Sequence, residues 1–258
     1  MIFSKSDLKR ANLKWFDKIP REWKVTSLKF FTESFVKDGP HETPDFIENG
    51  VPFLSVDGIQ DNKLVFQGCR FISKDDHERY SRKCLPRKGD VLLGKAASVG
   101  KVAYVDTDID FNIWSPLALI RAKSEVDSKF IYFALQSKEL QTQCIISSNT
   151  NTQNNLGMKD IDRLKFAIPE VDVRKRINDF LERETKRIDL LVSEKQNFIN
   201  LLKEKRQALI SHVVTKGLEP GVEMQDSGVE WIGDIPKHWT ARKLKYSFES
   251  PMLRALNN

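Results

Sequence analysis

Cysteine and histidine are scarce, at three and four residues in a chain of 258. Cys69, Cys84 and Cys144 lie far apart and form no C-x-x-C pair, which excludes a disulfide framework and a zinc knuckle and agrees with a reducing, cytoplasmic setting. His41, His77, His212 and His238 share no metal-ligand spacing, and no Ser/His/Asp or Cys/His constellation presents itself for nucleophilic catalysis. Long apolar runs are missing as well. Nothing approaches the ~18 uninterrupted apolar residues of a membrane span, and residues 1–10 lack a signal-peptide core, so no membrane association is expected. Nucleotide chemistry is approached and then missed. Residues 89–95 spell GDVLLGK and satisfy G-x-x-x-x-G-K, but Ala96 stands where Mg2+ ligation needs Ser or Thr. The stretch reads as strand, glycine turn, strand, whereas a phosphate-cradling loop must open a helix. The Asn/Asp-Pro-Pro-aromatic tetrad of adenine methyltransferases is absent too. The expectation is a chain with no catalytic residues, metal or cofactor of its own.

What is present suits a polyanionic partner. Charged residues make up 30% of the chain, against a usual value of about 25%, and the formal charge is +6. Lys and Arg gathered on one surface displace the counterions condensed on nucleic acid, although the same composition also serves plain solubility. Residues 70–101 concentrate the charge, with nine Lys or Arg against four Asp or Glu and with Phe71 and Tyr80 interleaved.

The chain also repeats itself. Residues 15–34 realign on residues 231–250 at a constant offset of 216, with eight of twenty positions identical, among them Trp15/Trp231, Ile19/Ile235, Pro20/Pro236 and Trp23/Trp239. That offset is far too long for a solenoid or propeller unit, so the repeating object is a whole domain plus its connector. Four segments result: an N-terminal extension (1–18), a globular domain (19–170), a long helix (171–216), and a linker with the start of a second repeat (217–258).

The expected fold class is α+β, a mixed α/β globule followed by a long coiled-coil-forming α-helix. Strand-like runs fall at 23–31, 51–56, 63–66, 90–93, 101–105 and 111–122, separated by Gly, Pro and Asp. Asp127 is placed as the N-cap of a helix whose stripe, Phe130, Ile131, Ala134 and Leu135, leads towards Leu140 and Ile145. A loop rich in amides and hydroxyls, 147–157, precedes a short strand at 164–168.

From residue 172 the periodicity changes. Ile177, Leu181, Glu184, Ile188, Leu191, Lys195, Phe198, Leu202, Lys205, Leu209 and His212 alternate four and three apart, and seven of these eleven positions are apolar. Asp172 is placed as the cap, and Gly217 where a left-handed C′ residue belongs. A helix of roughly 60 Å outruns the globule before it. Its seam calls for a second helix, and the chain supplies none. The expectation is a homodimer through Ile177, Leu181, Ile188, Leu191, Phe198, Leu202 and Leu209, with Glu184, Lys195 and Lys205 fixing register. Folding back onto its own domain is the alternative.

Candidate binding residues fall in four places. Arg79, Arg82, Lys83, Arg87 and Lys88 are candidates for phosphate contact or a solvated helix face. In the glycine turn, Lys95, Ser98 and Lys101 flank Gly94 and Gly100, where the backbone can approach a partner while donors project, or where a tight hairpin merely serves the fold. Asn151, Thr152, Gln153 and Asn154 are the side-chain types that pair with base edges, and Asn155 has the alternative of capping the next helix. The loop at 37–44, KDGPHETP, adds His41 and Thr43.

These segments in this order, IPxxW, KDGPHETP, VPFLSVDGIQ, KGDVLLGKAASVGKVAYV, NTQNNLGMKDI, KEKRQALISHVVTKGL and SGVEWIGDIPKHW, closely resemble the specificity subunit of type I restriction-modification enzymes, over about residues 19–250. The resemblance implies a target-recognition domain at 19–170 and a spacer helix at 171–216. It implies a non-catalytic role on double-stranded DNA, with a DNA adenine methyltransferase subunit using S-adenosylmethionine and a restriction/translocase subunit using ATP and Mg2+ as partners. Family members carry two recognition domains, which read the two halves of an interrupted site. Here the second ends soon after it begins, which leaves open a half-subunit that dimerises and a truncated, inactive product. A stand-alone coiled-coil dimeric DNA-binding regulator is the reading from another class.

Overall fold

The computed structural model describes residues 8–13, 16–149, 155–242 and 244. The chain divides into two units, residues 1–184 and 185–258.

The first unit is built on a four-stranded antiparallel sheet in the order Val102–Tyr104, Val91–Gly94, Leu117–Ile120, Lys37–Asp38. Its two central strands are buried along their whole length, which is why they read as unbroken apolar runs and not as alternation. Successive side chains still point to opposite faces. Val91, Leu93, Val102, Ala118 and Ile120 face one core, and Leu92, Ala103, Leu117 and Leu119 face another. Each fully buried Leu or Ile contributes about 1.5–3 kcal/mol, so the sheet is stabilised from both sides. The first core is closed by the helices α2 (Glu125–Leu135), α3 (Lys138–Ser147) and α4 (Met158–Arg163), and by the strand Lys165–Ile168 paired with Lys24–Ser27. The helix α1 (Lys74–Ser81) lies against a three-stranded sheet in the order Asn112–Ile113, Val51–Leu54, Arg70–Ile72.

Several expected boundaries move for local reasons. The run 111–122 is two strands, because the chain turns at 114–116 and passes from the three-stranded to the four-stranded sheet, where Pro116 offers only a carbonyl. Asp127 is not the cap of α2. Ser124 accepts the Asp127 N–H at 3.1 Å, which places Asp127 in the first turn. The stripe expected to run on to Ile145 breaks at Gln136, because Ser137 caps a new helix, and Ile145 is exposed. Asn155 does not cap α4; it bridges Ala96 in a short ladder. Strand Lys63–Leu64 returns on Ile59–Gln60 through Asp61 and Asn62, both at positive φ, as a tight hairpin requires.

The long helix α5 spans Val171–Lys216, so Asp172 lies in its first turn and does not cap it. Within the first unit its opening turns are seated firmly. The Arg174 guanidinium reaches Asp127 at 2.9 Å and the Pro169 carbonyl at 2.6 Å, and it stacks over Phe31. Asn178 donates to the Val126 carbonyl, and Lys129 pairs with Glu182 at 2.8 Å, whose hydrogen bond pushes the Lys129 ammonium up to about 12. Ile177 packs on the core of its own domain, so that position is not free for the expected seam, and Leu181 is half-buried.

In the second unit, α5 ends as expected. Gly217 has φ +79° and its N–H reaches the Val213 carbonyl at 3.0 Å, a left-handed C-terminal cap. The strand Met224–Asp226 then pairs with Asp234–Pro236. This hairpin reproduces the hairpin Leu8–Leu13/Phe16–Pro20 in register. Leu8↔Pro20, Lys9↔Ile19 and Arg10↔Lys18 become Met224↔Pro236, Gln225↔Ile235 and Asp226↔Asp234. The turns that follow match too, with Trp23 N–H on the Pro20 carbonyl and Trp239 N–H on the Pro236 carbonyl. The sequence repeat is therefore a structural one where both copies are described. Trp15 and residues 245–258 lie outside the described residues.

No helix among the described residues is long and apolar enough to cross a membrane, and no group of residues among them is arranged to hold a metal ion. Cys84 and Cys144 are buried, and burial pushes both thiols up to about 12; Cys69 is half-buried and raised less far. The thiolate is the reactive form. A thiol reagent at neutral pH is therefore expected to modify Cys69 first and to reach Cys84 and Cys144 only at the rate of unfolding; rapid labelling of all three in the native chain would contradict this packing.

Candidate nucleic-acid interface

The interface is organised around a residue that the sequence did not single out. Asp38 ends the edge strand Lys37–Asp38, paired with Ala118, and its side chain is fully buried. A carboxylate there needs compensating charge. Lys83 Nζ lies 2.8 Å from one carboxylate oxygen, while Lys95 Nζ at 3.3 Å and His41 Nε2 at 3.2 Å face the other. Burial pushes the Asp38 carboxyl up, but the Lys83 hydrogen bond and the charges of Lys83 and Lys95 outweigh it and hold the group below the usual carboxylate value. Three residues expected to bind, from three separate segments, thus meet at one buried anion.

The consequence for each is different. Lys95 does not project as expected: it is 7% exposed, with its charge committed to Asp38. Lys83 is half in solvent but donates to Asp38 and to the Gly39 carbonyl. His41 and Thr43 are exposed on the loop 37–44. That loop is pinned from below. The Trp114 indole donates to the Glu42 carbonyl, Ser115 N–H to the Pro40 carbonyl, and a Cβ on Gly39 would sit 1.7 Å from the Ile113 carbonyl oxygen. Only glycine allows that approach.

Residues 89–101 form strand, turn, strand as expected, and no helix opens there to cradle phosphate. The turn is tight. The Gly94 N–H donates to the Lys101 carbonyl and the Gly100 N–H to the Gly94 carbonyl, Ala97 takes φ +61°, and Gln141 from α3 donates to the Gly100 carbonyl at 2.8 Å. Ser98 is half-buried within the turn, and Lys101 donates to the Ile59 carbonyl, which ties the turn to the 59–64 hairpin. Leu156 N–H reaches the Lys95 carbonyl at 2.7 Å, so the segment returning from 150–154 is stitched to the same turn. Asn151, Thr152, Gln153 and Asn154 themselves lie outside the described residues. On α1, Arg79 is exposed but shared between Asp76, Glu42 and the Tyr80 hydroxyl, while Arg82 is exposed. Lys88 pairs with Asp108, and the Arg87 N–H is bound by Asp90.

Pinned loops of polar and basic residues on a sheet buried on both faces make a surface suited to recognition. The family model for the type I restriction modification DNA specificity domain matches residues 20–201, and the chain belongs to that family. It is 26% identical over 162 residues to the Type I restriction enzyme EcoBI specificity subunit of Escherichia coli, covering 62% of this chain and 34% of that one. It is 21% identical over 215 residues to the MjaVIII specificity subunit of Methanocaldococcus jannaschii, covering 78% and 49%. The chain thus spans half or less of the length of these relatives. Two solved structures share the fold at 18% identity and 83% coverage of this chain. One is a chain from a study of type I R-M complex assembly and conformational transition, with a TM-score of 0.62 over 50% of that chain. The other is the HsdS subunit from Thermoanaerobacter tengcongensis, with a TM-score of 0.53 over 49%.

Removing the Asp38 charge strands Lys95 in the interior. Asp38→Ala is expected to cost about 3–5 kcal/mol, and adding Lys95→Met should recover part of that loss. Because the folded carboxyl lies below its unfolded value of about 3.9, its contribution is complete above that pH and is lost as pH falls through the folded value. Melting temperatures should therefore run parallel down to about pH 5 and fall more steeply for the wild type than for Asp38→Asn between about pH 4 and about pH 2; parallel curves across that acidic range would refute the account.

Proposed function

We propose that this chain reads DNA sequence as the specificity component of a type I restriction-modification assembly. The observation that carries the reading is the convergence of the loop 37–44, the turn 94–101 and the root of the 150–154 segment, within a domain of the specificity family. Loops held by a rigid scaffold are where base-reading side chains sit, while cations such as Arg82 supply phosphate contacts that set register on the duplex. The chemistry resides elsewhere: a DNA adenine methyltransferase subunit supplies methylation with S-adenosylmethionine, and a restriction/translocase subunit uses ATP and Mg2+. The setting is the cytoplasm, where the DNA is.

The partner for α5 in this reading is a second copy. Ile188, Leu191, Phe198, Leu202 and Leu209 remain between 44% and 60% exposed, and Val192 and Ile199 widen the stripe along the same side. Burying such a seam against its twin presents two identical domains related by a two-fold axis, so the target is an interrupted palindrome. Dimerisation begins beyond Ile177, which its own domain already covers.

The purified chain alone is expected to leave DNA unmethylated, and adding the methyltransferase subunit to create methylation at one interrupted motif, read by sequencing the methylated products. Methylation by the chain alone, or none at any motif with the partner present, refutes the assignment. Leu191→Asp with Leu202→Asp is expected to halve the mass measured by light scattering while leaving the melting of the first unit unchanged. An unaltered mass would remove the homodimer.

A further inference from the structure

Arg70 is held over aromatic rings and paired with no acid among the described residues. Arg70 opens the strand Arg70–Ile72, directly opposite Phe53, on the face shared with Ile72. Beneath it lies an aromatic lattice in which Phe46, Phe53, Trp114 and Tyr80 stand 6.1–6.4 Å apart in tilted and edge-on pairs. The Arg70 guanidinium sits 4.6 Å from the Phe46 ring centroid and 5.9 Å from that of Trp114. Its neighbour over the same lattice, Arg79, stacks on Tyr80 but is neutralised by Asp76 and Glu42. Lys83 and Lys95 are consumed by Asp38, and Lys88 by Asp108. Arg70 is exposed and makes no ion pair among the described residues, so the contact with Phe46 restrains its guanidinium while no acid occupies its donors.

The surroundings match a base edge better than a lone phosphate. A cleft of about 250 Å3 opens beside Arg70, lined by Trp114, Ser55, Asp57, Gln60 and Gln67. The Trp114 indole also holds the Glu42 carbonyl, which makes the lattice continuous with the loop 37–44. An arginine held over aromatic rings with no ion pair is the group that can donate two parallel hydrogen bonds to O6 and N7 of guanine in the major groove. Resting on the DNA-reading function above, we infer that Arg70 is a specificity-determining residue that recognises one guanine of the target, with Phe46 and Trp114 as positioning residues.

The test selects bound sequences from a pool of randomised duplexes, using wild type, R70K and R70Q, each assembled with the methyltransferase subunit. Both variants are expected to retain the wild-type melting temperature and the rest of the motif, and to lose discrimination at one G·C pair by about ten- to a hundredfold. R70K should keep the salt dependence of non-specific binding, since it keeps the charge. An unchanged motif overturns the inference, as does weakening that is uniform across sequences, which marks a phosphate contact. A melting temperature lowered in both variants shows Arg70 to be structural and overturns it too. If wild type selects no sequence at all, the DNA-reading function falls and Arg70 with it; a wild-type motif that survives in the variants removes only Arg70.

Discussion

The candidate interface depends on one buried negative charge. Asp38 has no access to water, so its ionised form depends on Lys83 and Lys95 staying close to it, with His41 against the same carboxylate. Those residues belong to the turn after α1, the glycine turn and the loop 37–44, which are far apart in the chain. A single electrostatic requirement therefore fixes three loops relative to one another. The orientation also runs outward: a lysine drawn in to satisfy Asp38 is not offered to a phosphate, whereas Arg82 and Arg70 are exposed and make no ion pair among the described residues.

Beneath the loops, rigidity comes from a sheet with a core on each face. Alternate side chains of Val91–Gly94 and Leu117–Ile120 serve opposite cores, so neither strand can slip by one residue without exchanging its packing on both sides. Such a scaffold allows the loops to differ in sequence without moving their roots, as the proposed DNA-reading role requires. At the other end of the domain the opening of α5 is clamped by Arg174, Asn178 and Glu182, which gives the helix a defined start while leaving its later apolar positions exposed.

Much of this was legible from local pattern. The glycine turn, the left-handed end at Gly217 and the long helix follow from residue types at fixed spacing, and the 216-residue repeat reappears as two hairpins in identical register. Features that depend on distant partners were not legible. Asp38 reads as one acid in a polar loop, and only folding brings Lys83 and Lys95 to it. For the same reason Lys95 reads as a projecting donor, Ile177 as a seam residue, and Arg70 as one charge in a basic stretch. The division of 111–122 at Pro116 required knowing that two sheets share one stretch of chain, and Asp127 concealed the true cap because Ser124 stands three residues before it.

Backbone hydrogen exchange in Asp38→Asn against wild type tests the central claim most directly, because it reports on each loop separately. If one buried carboxylate ties the loops together, protection should fall in concert across residues 37–44, 82–84 and 94–101, with the strands Val91–Gly94 and Leu117–Ile120 unchanged. Faster exchange confined to the edge strand Lys37–Asp38, with the glycine turn as protected as before, would contradict the account.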